Sequence, residues 1–252
     1  MKLILPENIF TRLIADNLPP QLKSEVLFSA SSLITNTIKN SSSAVGLIPT
    51  LDLIKNNSLF ISKSFGLSFE GSLCNSYIYY SPVQKEVKEI ILFGDVSSVE
   101  VLLCKILFQE MYDSEVEVKI STNEKHLEGH NFLITGDKNF IRDKYLNGIS
   151  FAEEMIETLS LPFVNYVFAS KDVSLIEELN EQLKGVSNSI YDEAEGTKFG
   201  DEFSDGVKNY IRENISSFVM DFDKHDLEGI NQIIRLPYYH GIIDDIFEIN
   251  FV

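Results

Sequence analysis

The sequence predicts an α/β protein with parallel, doubly wound sheets that are closed by C-terminal helices. Three observations predict this class. Strand-like apolar segments alternate with amphipathic helical segments in the first two thirds of the chain, and helices dominate the remainder. Several apolar runs end in small, polar or turn-forming residues, as strands do where they pass into helices. The 252 residues suffice for one large domain or for two lobes with separate cores.

Periodicity and helix end signals place the elements. Short apolar or β-branched runs bounded by turn residues predict strands at 3–5, 25–29, 44–48, 74–80, 90–93, 116–120, 132–134 and 163–169. Helical spacing of apolar residues predicts helices at 8–17, 31–38, 51–55, 99–111, 151–159, 173–183, 203–216 and 227–234. Asn8 is well placed to cap the first of these helices. The stretch 188–200, rich in Gly, Ser and acidic residues, predicts an exposed loop.

Charge and cysteine content exclude several classes of protein. The formal charge is −17 and only four residues are arginines, so nucleic acid and anionic membrane surfaces are rejected as partners. Cys74 and Cys104 form no C-x-x-C pair, which argues against a disulfide scaffold and a structural zinc site. The first apolar run ends at Pro6, too early for a signal-peptide core, and no apolar run approaches the ~20 residues of a membrane span. We therefore expect a cytoplasmic protein.

Four short strings indicate a binding site at the ends of predicted strands. They occupy residues 46–52, 94–99, 133–137 and 161–164. We call such a strand-to-helix turn a corner. In α/β proteins, several corners that face one cleft form a small-molecule site. The acidic chain repels a small anionic ligand, so such a ligand needs a local positive site, which helix N-termini can supply.

The corner residues allow a functional and a structural interpretation. Ser97 and Ser98 could bind a carboxylate through their hydroxyl and backbone N–H groups, or they could only cap the following helix. Thr50 could be a ligand hydroxyl or a cap for the helix at 51–55. Asp137 could orient a ligand hydroxyl or serve as a turn acid after a glycine. The readings are compatible, because a capping residue can also present its backbone N–H to an anion.

The histidines provide no metal site. His126 and His130 are four residues apart, but Gly129 lies between them, which favours a loop over a helical pair of ligands. His225 lies in an acidic string that lacks the glycine and terminal glutamate of a calcium loop. No histidine is assigned a role, and neither a metal nor a cofactor is expected.

The corner strings resemble those of the menaquinone-biosynthesis enzymes of the futalosine route, the chorismate dehydratase group and its sister lyases. Residues 47–52 stand at the family's apolar-Pro-Ser-apolar-Glu corner, and residues 97–98 at the Ser/Thr-rich corner that opens the first helix of its second lobe. Residues 135–137 stand at its Gly-Asp corner, and 161–164 at its Leu-Pro-Phe-Val strand. The resemblance runs from about residue 44 to 235.

The resemblance implies a two-lobed type II periplasmic-binding-protein-like fold with mostly parallel sheets and a ligand cleft between the lobes. Residues 1–73 and 165–252 would form lobe 1, and residues 74–164 lobe 2. The implied ligand is a small anionic metabolite, chorismate or a related cyclic carboxylate, from which water is eliminated. Formation of an aromatic ring drives such a step, so the protein mainly orients and desolvates the substrate. The implied ligand-binding residues are Asn8, Thr50, Ser97, Ser98 and Asp137.

Two departures from the family pattern leave the activity open. The family's Tyr-Leu-Asn turn is replaced by Pro6-Glu7-Asn8, in which Glu7 adds a negative charge where an anion would dock. The second-lobe corner has Ser97-Ser98-Val99 in place of Ser-x-Thr-Ser. A chorismate-dehydratase-like lyase and a non-catalytic protein that binds a small carboxylate are therefore both retained. An exported solute receptor is disfavoured by the N-terminal sequence. The catalytic base and the oligomeric state are not indicated.

Overall fold

The computed structural model describes residues 1–84, 86–193 and 199–252, which form two β-sheets with helices packed around them. The strands are β1 (Lys2–Pro6), β2 (Val26–Ser29), β3 (Ala44–Pro49), β4 (Phe60–Phe69), β5 (Ser76–Tyr79), β6 (Glu89–Gly94), β7 (Glu117–Ser121), β8 (Phe132–Thr135), β9 (Ile149–Ser150), β10 (Phe163–Ser170), β11 (Phe218–Asp221) and β12 (Asn250–Phe251). The α-helices are α1 (Ile9–Asn17), α2 (Pro20–Lys23), α3 (Ser31–Lys39), α4 (Ser98–Tyr112), α5 (Phe151–Leu159), α6 (Val173–Leu183), α7 (Val186–Glu193), α8 (Asp205–Glu213) and α9 (Lys224–Tyr239).

The two sheets define two lobes. The larger sheet has the order β11-β4-β10-β3-β1-β2, with β12 beside β4, and the smaller has the order β7-β6-β8-β5-β9. The chain leaves the larger sheet after β4 and returns to it as β10, which pairs with β3 and β4. The boundary expected between residues 164 and 165 therefore falls within β10, all of which lies in the larger sheet.

The sheets are mixed, which corrects the expectation of mostly parallel pairing. Within the described residues, five strand pairs are parallel and five are antiparallel. The antiparallel pairs arise where the chain crosses between the sheets. β10 runs against both of its neighbours in the larger sheet, and β5 runs against β8 and β9 in the smaller sheet.

The helices that face the other lobe start where their capping residues predict. Asn8 precedes α1, and its Oδ1 accepts hydrogen bonds of 3.1 Å from the N–H groups of Phe10 and Thr11. Ser97 precedes α4 and forms a capping box with Glu100. Both helices follow directly on a strand of their lobe, so the capped ends lie at the strand-to-helix corners.

Several segments differ from the sequence-based expectation, among them the strands β11 and β12 in the C-terminal part that was expected to be helical. Residues 60–69 form the long strand β4, which was not predicted because serines and a glycine interrupt its apolar residues. The segment 51–55 is a 3₁₀ helix that begins at Thr50. The loop expected at 188–200 is wrong in its first part, where α7 continues to Glu193. The rest of that stretch includes residues 194–198, which lie outside the described residues.

A continuous apolar core runs through both lobes. Its aromatic part crosses from one lobe to the other: the ring centroids of Phe10 and Phe218 are 5.7 Å apart, and those of Phe10 and Phe140 are 6.1 Å apart. Phe140 continues to Tyr145 at 5.7 Å, and Tyr145 stacks on Tyr210 at 4.4 Å. The lobes are thus joined by packed rings as well as by the crossing strands. Among the described residues, no helix combines the length and apolarity needed to cross a bilayer.

Candidate functional site

Two Gly-Asp corners of the smaller lobe face the larger lobe side by side. Gly94-Asp95 ends β6, and Gly136-Asp137 follows β8, its parallel neighbour. Both glycines have positive φ angles, 102° at Gly94 and 90° at Gly136, which disfavour other residues. The register pairs Gly94 with Thr135, so both aspartates leave the sheet at the same edge.

Asp137 binds the N-terminus of α1 across the lobe boundary. Its Oδ1 accepts a hydrogen bond of 2.7 Å from the N–H of Ile9, the first residue of the helix. Arg12 lies on the same helix, with its Nη1 3.7 Å from Asp137 Oδ2. Burial raises the pKa of Asp137, while the Ile9 N–H and the Arg12 guanidinium act in the opposite direction. The contact brings Asp137 next to Asn8, as expected if both residues belong to one site between the lobes.

Asp95 binds the N-terminus of α3 in the same way. Its carboxylate accepts hydrogen bonds from the Ser31 N–H at 2.9 Å and from Ser31 Oγ at 2.5 Å. Because Ser31 Oγ donates its proton to Asp95, it accepts from the Tyr166 hydroxyl 3.0 Å away. Asn75 Nδ2 lies 3.5 Å from the same hydroxyl. This buried polar cluster joins both lobes through side chains.

Sequence reasoning did not select Asp95, Ser31, Tyr166 or Asn75 as site residues. A repeated pattern could have indicated Asp95: Gly94-Asp95 repeats Gly136-Asp137 at the end of another apolar strand-like run. Ser31, Tyr166 and Asn75 carry no comparable local pattern. These residues come into contact only through the packing of the two sheets.

Glu100 is a fully buried carboxyl behind the α4 corner. Its Oε2 accepts hydrogen bonds from the Ser97 N–H at 2.9 Å and from Ser97 Oγ at 2.6 Å, and its Oε1 accepts from Ser76 Oγ at 3.1 Å. Burial raises the pKa of Glu100, and these hydrogen bonds act in the opposite direction. Ser97 therefore connects a buried acidic group to the surface of the cleft.

A cavity of about 550 Å³ lies between the lobes beside the α4 corner. The larger lobe contributes Asp52 and Lys55 to its wall, and the smaller lobe contributes Ser97 and Ser98. Leu51, Val96, Val101, Leu102, Ile242 and Ile243 add an aliphatic lining. Ser98 Oγ is buried and has no hydrogen-bond partner among the residues that the structure describes. Thus the cavity combines apolar walls with an unused hydroxyl at a helix N-terminus, a typical composition of a small-molecule site.

The five predicted ligand-binding residues fall into three places. Ser97 and Ser98 line the cavity. Asn8 and Asp137 meet at the α1 corner, where Asn8 is fully buried and its Nδ2 lacks a partner among the described residues. Thr50 is fully buried and donates a hydrogen bond of 2.7 Å to the Val164 carbonyl. The ligand roles of all five remain predictions.

Within residues 1–84, 86–193 and 199–252, no group of three or more His, Cys, Asp or Glu side chains is arranged to hold a metal ion.

Comparison with known proteins defines the fold. No protein-family model and no curated protein matches the chain. Among solved structures, protein AF1704 from Archaeoglobus fulgidus matches with a TM-score of 0.66 at 9% identity, over 96% of this chain and 98% of that one. The periplasmic aliphatic sulphonate binding protein SsuA from Escherichia coli matches with a TM-score of 0.61 at 11% identity, over 99% and 94%. The alkanesulfonate-binding protein SsuA from Xanthomonas axonopodis pv. citri, bound to MOPS, matches with a TM-score of 0.58 at 8% identity, over 96% and 93%.

These identities bear on fold alone, and the fold they indicate agrees with the topology described above. The prediction of a two-lobed α/β architecture is confirmed. The chain has a two-lobed fold like that of the type II periplasmic binding proteins.

Proposed function

We propose that this protein binds a small organic carboxylate, without converting it, in the cavity between its lobes. The observation that carries this proposal is the unpartnered, buried hydroxyl of Ser98 in the first turn of α4, at the wall of that cavity. The first N–H groups of a helix have no intrahelical partners and favour an anion. Ser97 and Glu100 already pair several of these groups at α4, so a carboxylate placed there would use the Ser98 hydroxyl and the positive end of the helix dipole.

The charges around the cavity are compatible with a single carboxylate. Lys55 lines the opposite wall and forms no ion pair among the described residues. Asp52, on the same wall, accepts a hydrogen bond from Thr35 Oγ1. The aliphatic residues would cover the apolar part of the ligand. Both sulfonate-binding proteins with this fold take small organic anions, which supports the same class of ligand here.

Replacing Ser98 by Ala should weaken ligand binding about tenfold or more, because a hydrogen bond to a charged group contributes about 1.5–3 kcal/mol. Thermal-shift screening with chorismate, benzoate and methanesulfonate selects a ligand, and calorimetry then compares its affinity for each variant. Since Ser98 Oγ bonds to no group in the described part of the chain, S98A should keep the unfolding free energy within about 0.5 kcal/mol. S174A, in the first turn of α6, is the matched control and should bind as the unmodified protein does. Equal affinity of S98A and S174A contradicts the proposed site.

A second candidate function is that of a chorismate-dehydratase-like lyase, which eliminates water from a small cyclic carboxylate. The contact between Ser97 Oγ and Glu100 Oε2 favours it, since an elimination needs an acceptor for the proton that leaves carbon. Ser97 lines the cavity and Glu100 lies behind it, so the pair could pass a proton from a ligand to a buried carboxylate.

Incubation with chorismate tests the lyase directly. A lyase should consume chorismate, followed by its absorbance, and form an aromatic enolpyruvyl ether. E100Q, which removes the proton acceptor, should lower that rate at least about a hundredfold. Binding of chorismate without any change in its absorbance would leave the binding protein as the function and exclude this lyase reaction.

A further inference from the structure

We propose that Asp95 and Asp137 act as internal ligands, which occupy the anion-accepting helix N-termini of the larger lobe and hold the lobes closed without a bound anion. In two-lobed binding proteins, closure normally brings both lobes onto a ligand that bridges them. Here the chain itself provides two carboxylate bridges between the lobes. The proposal concerns the α1 and α3 corners and does not depend on a ligand in the cavity beside α4.

The capping of α3 supports the proposal. Ala30 precedes this helix and has no side chain that could accept a hydrogen bond, and the first turn contains no acidic residue. An alanine is a poor residue at this position, because the first N–H groups stay without partners. Asp95 of the other lobe accepts from the Ser31 N–H and from its hydroxyl. It thereby supplies the cap that the sequence around α3 lacks.

At α1 too, one of the first N–H groups bonds to an aspartate of the other lobe. Asn8 Oδ1 accepts from Phe10 and Thr11, which leaves the N–H of Ile9 for Asp137. The first turn of this helix also lacks an acidic residue. The buried Asn8 Nδ2 beside it has no partner among the described residues, so the side chain of Asn8 offers no second acceptor that would replace Asp137.

The internal carboxylates also affect ligand specificity. An external anion that approached either corner would have to displace a half-buried aspartate or tolerate its charge. Since like charges in a poorly solvated site repel strongly, these two positions should exclude external anions. Binding is then expected on the α4 side of the cleft, where Lys55 lines the cavity and the Ser98 hydroxyl has no hydrogen-bond partner among the described residues.

Chemical rescue by acetate tests the proposal. D95A and D137A should each lower the melting temperature by about 4–10 °C, because each variant loses charge-assisted hydrogen bonds and leaves buried N–H groups unpaired. Potassium acetate should restore at least half of this loss, compared with potassium chloride at equal ionic strength. In the unmodified protein Asp95 and Asp137 already fill the α3 and α1 corners, so any stabilisation that acetate gives through the cavity beside α4 should be common to all variants and is subtracted. D172A is the matched control, because Asp172 caps α6 at an exposed position away from the other lobe.

The asparagine variants keep the test informative if an alanine variant does not fold. D95N and D137N retain an oxygen that accepts from the helix N–H, so they should melt between the alanine variants and the unmodified protein and gain nothing from acetate. Two results would overturn the proposal. One is that D95A and D137A melt at the temperature of the unmodified protein; the other is that acetate stabilises D172A or the unmodified protein as much as D95A and D137A.

Discussion

Replacing Gly94 by Ala should reduce the free energy of unfolding by at least about 4 kcal/mol. Two effects add at this position. The φ angle of 102° lies in a region that a residue with a Cβ rarely adopts. A Cβ at Gly94 would also overlap the carbonyl oxygen of Thr135 on the neighbouring strand. That oxygen accepts a hydrogen bond of 3.2 Å from the Asp95 N–H, so relief of the overlap must disturb the corner that presents Asp95.

Gly136→Ala is the matched control, because Gly136 has a similar φ of 90° but open space around its Cβ position. The nearest atom to that Cβ would be the Asp95 Cβ at 3.8 Å, an ordinary contact. G136A should therefore lose only the conformational term, about 1–3 kcal/mol. Urea denaturation of both variants measures the two losses. A loss in G94A no larger than that in G136A would show that the overlap relaxes without cost.

Local chemistry made the corners predictable from the sequence. Capping by Asn8 and by Ser97 depends on residues within three positions, and both caps form as expected. The glycine before Asp137 indicates a turn by itself, and the structure gives it a positive φ. The alternation of strands and helices likewise indicates the α/β class, because it reflects periods of two and 3.6 residues within short segments.

The contacts that join the lobes could not be predicted, because they link residues far apart in the chain. Asp95 meets Ser31 across 64 residues, and Ile9 meets Asp137 across 128. No periodicity indicates such a pair, nor whether neighbouring strands run parallel or antiparallel. A missing cap before α3 could have indicated a distant acceptor, since Ala30 has no side chain that could accept from the first N–H groups of the helix. It would not have identified Asp95 as that acceptor.

Replacing Phe10 by Ala should cost about 3–5 kcal/mol of unfolding free energy and loosen the contact between the lobes. The Phe10 ring is fully buried and lies between Phe69, Phe218 and Phe140, with centroid separations of 5.2, 5.7 and 6.1 Å. The first two rings belong to strands of the larger sheet, whereas Phe140 follows Asp137 in the smaller lobe. Removing the central ring leaves a cavity at the point where the lobes meet.

Phe108→Ala provides the matched control within a single lobe. Phe108 is equally buried on α4, where its ring lies beside Tyr80 and Tyr112, so its loss should cost a similar free energy. Hydrogen exchange then separates the two variants. The Ile9 amide hydrogen, which bonds to Asp137, should exchange faster in F10A and at its normal rate in F108A. Equal exchange at Ile9 in both variants would mean that the aromatic rings around Phe10 do not hold the lobes together.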